Sequence, residues 1–202
     1  MLNLSSIVLA SASPRRLELL RSLGLTVRVE PSGYGEPDDP SIAPPALVIR
    51  HAAAKARDVQ ARFPNDVVVA ADTVVDIDGM ALGKPRDRAE AAAMLRTLSG
   101  REHAVHTAMA IALPTKGELI EEYSTTTVRF YPLADDEIEA YVATGEPMDK
   151  AGAYGIQGRA AALVASIDGD FYTVMGFPLA RFVRALRRLG FTFPAAKSSA
   201  NE

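Results

Sequence analysis

The run VVVAADTVV at residues 67–75 constrains the fold of this chain more than any other stretch. Its valines favour extended backbone, and without polar alternation neither face of such a strand can meet water. A fully buried strand over Val67–Val75 is therefore predicted, with Asp72 interrupting it. A buried carboxylate without partners is expensive, so Asp72 must be paired with cations, bind a metal or be protonated. Helix capping does not account for it, because the next element is a hairpin: Asp78-Gly79 is a tight-turn signal returning the chain through Met80–Leu82.

The remaining pattern alternates strands and helices around this one. Ile7–Ala10 reads as a short buried strand, after which Ser13 and Pro14 open a helix with a core face at Leu17, Leu20 and Leu23 and a stop at Gly24. Residues 31–45, PSGYGEPDDPSIAPP, hold five prolines, two glycines and three acids, which predicts a long loop ahead of a helix at about 46–63. Asp87 and Glu90 stand at capping-box spacing before a helix that buries Met94, Leu95 and Leu98 and ends at Gly100. A hairpin over about 104–113 and 119–130, turning at PTKGE, precedes a short helix at about 135–144. The glycine-rich segment KAGAYGIQG, a strand at 162–167 and a helix at 178–189 complete the pattern. In that helix Leu179, Phe182, Val183, Leu186 and Leu189 point inward. Alternation with inserted hairpins indicates an α/β fold on a mixed sheet.

Length and composition limit the function. A chain of 202 residues, 48% hydrophobic, buries a substantial core and suits a single domain over 1–194, with AAKSSANE at 195–202 expected as a disordered tail. The absence of cysteine excludes disulfides, thiol catalysis and cysteine-ligated zinc. His51, His103 and His106 are too scattered for a transition-metal set, and the last two read as ordinary strand residues. A formal charge of −3 and 6% aromatic residues argue against an extended nucleic-acid surface, so any polyanion site must be local. No apolar stretch is long enough to span a bilayer and no signal-like leader is visible, which points to the cytoplasm.

Two further features offend local rules. Arg15 and Arg16 occupy the first turn of a helix, where the macrodipole is positive, and each costs on the order of 0.3–1 kcal/mol unless an anion is present. They are either solvated arginines or half of a phosphate site completed by free amides and the hydroxyls of Ser11 and Ser13. Lys55 lies on the apolar stripe Val48, Ala52, Val59, Phe63, where it either snorkels to solvent or reaches a buried anion. Lys84, in GKP, and Lys150, opening KAGAYGIQG, would each pass alone as loop lysines. The glycines at 152, 155 and 158 match neither a dinucleotide fingerprint nor a P-loop, and read locally as a tight turn with close backbone packing.

Together these segments resemble the Maf family of nucleoside triphosphate pyrophosphatases over about residues 7–190. The likeness is carried by LASASPRRLELL at 9–20, AADTVV at 70–75, GKP at 83–85, LSGREHAVHT at 98–107 and DKAGAYGIQG at 149–158. It implies a mixed central sheet with flanking helices and two lobes around a cleft, related to the inosine triphosphatase group. It also implies a homodimer, and hydrolysis between the α and β phosphates with a divalent cation, Mg²⁺ or Mn²⁺. On this resemblance Asp72 is the general base and a metal partner, Glu36 is a second acid near the metal, and Ser11, Arg15, Arg16, Lys55, Lys84 and Lys150 hold the phosphates. Arg15, Thr73 and Gln157 occupy positions that distinguish the branch acting on dTTP and UTP. A glutamine amide can both donate to and accept from a pyrimidine edge, and it can also flip to suit cytosine.

Ala108, Thr173 and Phe177 stand where the family commonly has glycine, asparagine and leucine, and Thr173 bears most on substrate affinity if that asparagine touches the nucleotide. Other readings are a pyrophosphatase for 7-methyl-GTP or other non-standard purine nucleotides, and a nucleotide- or nucleic-acid-binding regulator of cell division.

Overall fold

A computed structural model describes residues 2–37, 39, 41–114 and 118–192. The middle of the expected PTKGE turn and the expected tail at 195–202 lie outside them. The first strands are β1 (Leu2–Asn3) and β2 (Ser6–Leu9), followed by helix α1 (Pro14–Ser22) and β3 (Thr26–Val29). Helix α2 (Pro44–Arg62) leads to β4 (Val68–Ile77), which turns into β5 (Met80–Leu82), and α3 (Arg88–Leu98) leads to the long hairpin β6 (Glu102–Ala112) and β7 (Leu119–Phe130). Helix α4 (Asp135–Ala143) then enters three short 3₁₀ turns between 146 and 163, before β8 (Val164–Asp168), α5 (Phe171–Met175), α6 (Leu179–Arg188) and β9 (Phe191–Thr192).

The main sheet runs β3-β2-β4-β6-β7-β8, parallel where β2 meets β3 and β4 and antiparallel from β4 through β8, while β1 and β9 form a separate parallel pair. The mixed α/β expectation is thus met. The last large strand begins later than expected, because 158–163 forms a 3₁₀ turn instead. Strand β3 and helix α5 had no usable sequence signal: β3 is mostly exposed and α5 has five residues, fewer than two helical turns.

The course of β4 explains where the cleft opens. Its apolar side chains enter different cores along its length. Val69 and Ala71 pack with α1 and α6 residues such as Leu20 and Phe182, whereas Val75 and Ile77 pack with α3 and α4 residues such as Leu95 and Ile138. On its other face Val68, Ala70 and Val74 meet Val48, Ala52, Ala56 and Val59 of α2. One edge of β4 is paired throughout with β6, but the opposite edge pairs with β2 only at 68–69 and with β5 only at 75–77. Asp72 and Thr73 fall in that gap, beyond the carboxyl end of β2 and between two cores. Open α/β sheets commonly place ligands at such a discontinuity in strand order.

The local signals for α1 and α3 correspond to real caps. Ser13 accepts from the Arg16 amide at 3.5 Å with Pro14 in the first turn, and Asp87 accepts from the Glu90 amide at 2.8 Å. The expected reciprocal half of the α3 capping box is redirected: Glu90 accepts from the Arg86 amide and side chain at 2.7 and 2.9 Å.

Candidate active site

The gap beside β4 opens into a cleft of about 630 Å³ lined by the α1 N-terminus, the 31–36 loop, α2, GKP and the 149–157 segment. Every residue assigned a site role from sequence lines it: Ser11, Arg15, Arg16, Glu36, Lys55, Asp72, Thr73, Lys84, Lys150 and Gln157.

At its centre Lys55 resolves the alternatives posed by the α2 stripe. It does not snorkel; the residue is buried, and its ammonium lies 2.7 Å from Asp72 and 2.7 Å from Glu36. Helix α2 delivers it from one side, β4 presents Asp72 from below, and the proline-rich loop brings Glu36 over the top. Glu36 has the left-handed φ of 47°, a conformation that side chains other than glycine rarely adopt and that clusters at functional sites. Ser32 and the Gly33 amide hold the loop to Asp58 of α2 at 2.8 and 2.9 Å. Burial alone would raise the Glu36 carboxyl, but the Lys55 hydrogen bond and the charges of Lys55, Lys84 and His51 outweigh it and hold Glu36 below its ordinary value.

The two α1 arginines play different parts. Arg16 is fixed by three acceptors: the Gly176 carbonyl at 2.9 Å, Ser11 Oγ at 3.2 Å and Thr73 Oγ1 at 3.1 Å. Thr73 in turn meets Thr107 Oγ1 at 3.0 Å, and Thr107 donates to the Thr173 carbonyl at 2.7 Å. Burial pulls the Arg16 guanidinium below its ordinary range; nearby Asp72 opposes that and Arg15 reinforces it. A desolvated guanidinium with a second cation beside it at a helix N-terminus is a place for an anion. Arg15 instead reaches 3.3 Å across the cleft mouth to Asp149, which also pairs with Lys150 at 2.7 Å. Sequence reasoning gave Asp149 no role, although it is the carboxylate that gathers two of the cations from separate segments. Lys84 is exposed and forms no ion pair with any described residue, so its charge is available to a ligand.

The glycines of the 150–158 segment make room for this arrangement, as close packing required. A Cβ on Gly152, whose φ is +65°, would lie 2.7 Å from Val75, and one on Gly155 would lie 2.6 Å from the Lys150 side chain. Gly155 therefore supplies the floor over which Lys150 extends. Thr173, the departure that bore most on substrate binding, is fully buried; its hydroxyl donates to Asp170 at 2.9 Å and its side chain does not line the cleft. Phe177 fills the core against Phe182, and nothing in the structure explains Ala108.

The donor set fits a hard divalent cation of modest demand. Among the described residues no group of three or more histidines, cysteines or acids could hold a metal. Asp72 and Glu36 nevertheless converge on one shared cationic point, the Lys55 ammonium. One or two carboxylates completed by water and substrate phosphates is how Mg²⁺ is commonly held, and these residues match it. His103 and His106 sit in β6 away from this group. His106 contacts Asp76 at 3.1 Å, and His103 contacts Tyr154 at 2.7 Å. Among the described residues no helix is long and apolar enough to cross a membrane.

Comparison with known proteins shows the family to which the chain belongs. A family model described as Maf-like protein covers residues 6–189. A dTTP/UTP pyrophosphatase of Symbiobacterium thermophilum is 51% identical over 188 residues, spanning 93% of this chain and 96% of the relative. Proteins of the same name from Moorella thermoacetica and Bacillus velezensis are 49% and 50% identical, with 93% and 90% of this chain and 96% and 95% of the relatives covered. Among solved structures, the Staphylococcus aureus Ham1 protein aligns with a TM-score of 0.44 and 17% identity, covering 64% of this chain and 72% of that one. With the family match embracing the α1 arginines, Asp72, Lys84 and the 149–158 segment, and with half-identical relatives aligned over nearly their whole length, this chain belongs to the Maf family.

Proposed function

We propose that this cleft hydrolyses dTTP and UTP to the monophosphate and pyrophosphate. The observation that carries the reading is the buried Lys55 bound to both Asp72 and Glu36 at 2.7 Å, facing the cations of α1, GKP and the 149–157 segment across one cleft. Arg15, Arg16, Lys84, Lys150 and the Ser11 hydroxyl bind the triphosphate tail. They neutralise charge that grows on the departing pyrophosphate, which is where phosphoryl transfer needs most help. Lys55 occupies one oxygen of Asp72. The other oxygen takes the proton of a water that forms a bond to the α phosphorus, while the α–β bridging bond breaks and its electron pair leaves with pyrophosphate. A Mg²⁺ or Mn²⁺ ion held by Asp72 and Glu36 would supply further charge neutralisation and alignment of the phosphates.

Gln157 is exposed at the cleft wall, where its amide can both donate to and accept from the edge of a pyrimidine. Arg15 and Thr73 act on specificity less directly, since Thr73 is engaged with Arg16. The test is a panel of nucleoside triphosphates with Mg²⁺ or Mn²⁺, measured by pyrophosphate release. Preference for dTTP and UTP supports the reading; preference for a purine or 7-methyl-GTP replaces the substrate, and no release from any of them rejects the activity.

The family resemblance also supports a homodimer. Light scattering should then return twice the 21.6 kDa chain mass, and a species of 21.6 kDa would overturn it.

A further inference from the structure

Gln157 is exposed on a 3₁₀-rich segment with little regular hydrogen bonding, a poor platform for reading a base unless something outside the segment fixes it. The segment is gripped just beyond Gln157 by one side chain, with a second behind it. The Glu146 carboxylate accepts from the Arg159 amide at 3.2 Å and more loosely from the Ala160 amide at 3.5 Å. It also accepts from the Tyr141 hydroxyl at 3.1 Å. Arg159 lies two residues after Gln157. Between them Gly158 has a φ of +72°, and a Cβ there would lie 3.1 Å from both Glu146 oxygens, so the carboxylate is seated hard against the backbone. Tyr141 is itself buried in the α3–α4 core, which makes α4 the fixed point of the clamp.

Glu146 has a second contact that separates cleanly from the first. Its backbone carbonyl, not its carboxylate, accepts from the Lys150 ammonium at 2.6 Å. The side chain holds the 159–160 amides and the main chain holds the Lys150 ammonium.

From this geometry we infer that Glu146, acting with Tyr141, is the positioning residue for substrate selectivity: its carboxylate fixes Gln157 against the nucleobase without touching the nucleotide. This rests on the proposed pyrimidine triphosphate pyrophosphatase reading. Selectivity built on hydrogen bonds depends on exact placement of the donor and acceptor, and a displacement of about 1 Å costs up to about 100-fold in rate.

Glu146→Gln keeps the size of the side chain but turns an amide group toward donors that need acceptors, and Tyr141→Phe keeps the ring in the core while removing the hydroxyl. Both variants and the wild type are assayed for kcat/KM on dTTP, UTP, CTP and dGTP, and for inhibition by inorganic pyrophosphate. The expected result is at least a tenfold fall in the ratio of dTTP to CTP and dGTP turnover, with pyrophosphate inhibition within about twofold of wild type. An unchanged ratio in a folded variant overturns the inference, as does a uniform loss on all four substrates accompanied by weaker pyrophosphate inhibition, which is what a general collapse of the segment would give. Should Glu146→Gln fail to fold, Tyr141→Phe decides alone. If the wild type releases no pyrophosphate from any triphosphate, the parent reading fails and the inference with it; if the wild type discriminates and the variants do so equally, only the inference fails.

Discussion

Replacing Lys55 by methionine removes the cation that two carboxylates share while keeping most of the apolar stem. In the folded protein Asp72 is buried and Glu36 is half exposed, and each loses a partner 2.7 Å away. Breaking a buried ion pair costs about 3–5 kcal/mol because a charge is left uncompensated. Water reaches Glu36, so screening places the expectation at the lower end, about 3 kcal/mol. For a domain of this size each kcal/mol moves the melting temperature by about 2–4 °C, so the variant should melt about 6–12 °C below wild type. Urea unfolding followed by circular dichroism and by fluorescence gives the same quantity independently, provided the two transitions coincide. Adding Asp72→Asn to Lys55→Met removes the most buried of the orphaned charges and should return at least half of the lost stability, a coupling that a double-mutant cycle isolates. A single-variant shift below about 2 °C, or strict additivity of the two changes, would refute the shared-ammonium arrangement and restore a solvent-directed Lys55.

Other consequences follow from the same contacts. Gly155→Ala drives a Cβ into the Lys150 stem, whose far end is flexible, so inhibition by pyrophosphate should weaken about tenfold with the melting temperature within about 2 °C; unchanged inhibition would show that Lys150 does not hold phosphate. Gly152→Ala meets Val75 from a left-handed backbone and should lose at least about 2 kcal/mol in urea unfolding, and near-neutrality would contradict that packing. Because the Glu36 carboxyl is held below its ordinary 4.5, its contribution is present above that value and lost as pH falls through the lower folded value. The stability advantage of wild type over Glu36→Gln should therefore shrink as pH falls below about 4.5, and an advantage that grew there would reverse the sign. Burial pushes His103 down to about 4, so the unfolded chain takes up its proton first and this term destabilises the fold as pH falls from 6.5 toward 4. Its imidazole resonances should show a neutral ring at pH 5.5, and a midpoint near 6.5 would contradict the burial.

Legible in the sequence were the residues that conflict with their immediate neighbours. Asp72 in an apolar strand, Lys55 on an apolar stripe and arginines in a first helical turn each carry a local cost, and all of them line the cleft. The alternating pattern likewise sufficed for the mixed α/β sheet, because β4 and β6 are long and mostly buried and α2 is long with one buried face. What was illegible is long-range. Asp149 bridging Arg15 and Lys150, the Gly176 carbonyl under Arg16, and Glu146 against the 159–160 amides each depend on a partner with no local anomaly to advertise it. Thr173 illustrates the converse: a departure from the family pattern invited a role in substrate binding, but its hydroxyl is committed to Asp170 beneath the cleft wall. Strand β3 and helix α5 escaped because short or exposed elements carry no hydrophobic periodicity.

The central claim is that Asp72, held by Lys55 in the gap of the sheet, activates the attacking water. Its most direct test is the single-turnover rate of pyrophosphate release from dTTP by Asp72→Asn, measured on protein whose circular dichroism matches wild type. Loss of a general base predicts a fall of at least about 100- to 10,000-fold with the fold intact. A folded Asp72→Asn protein that releases pyrophosphate at near wild-type rate would contradict it.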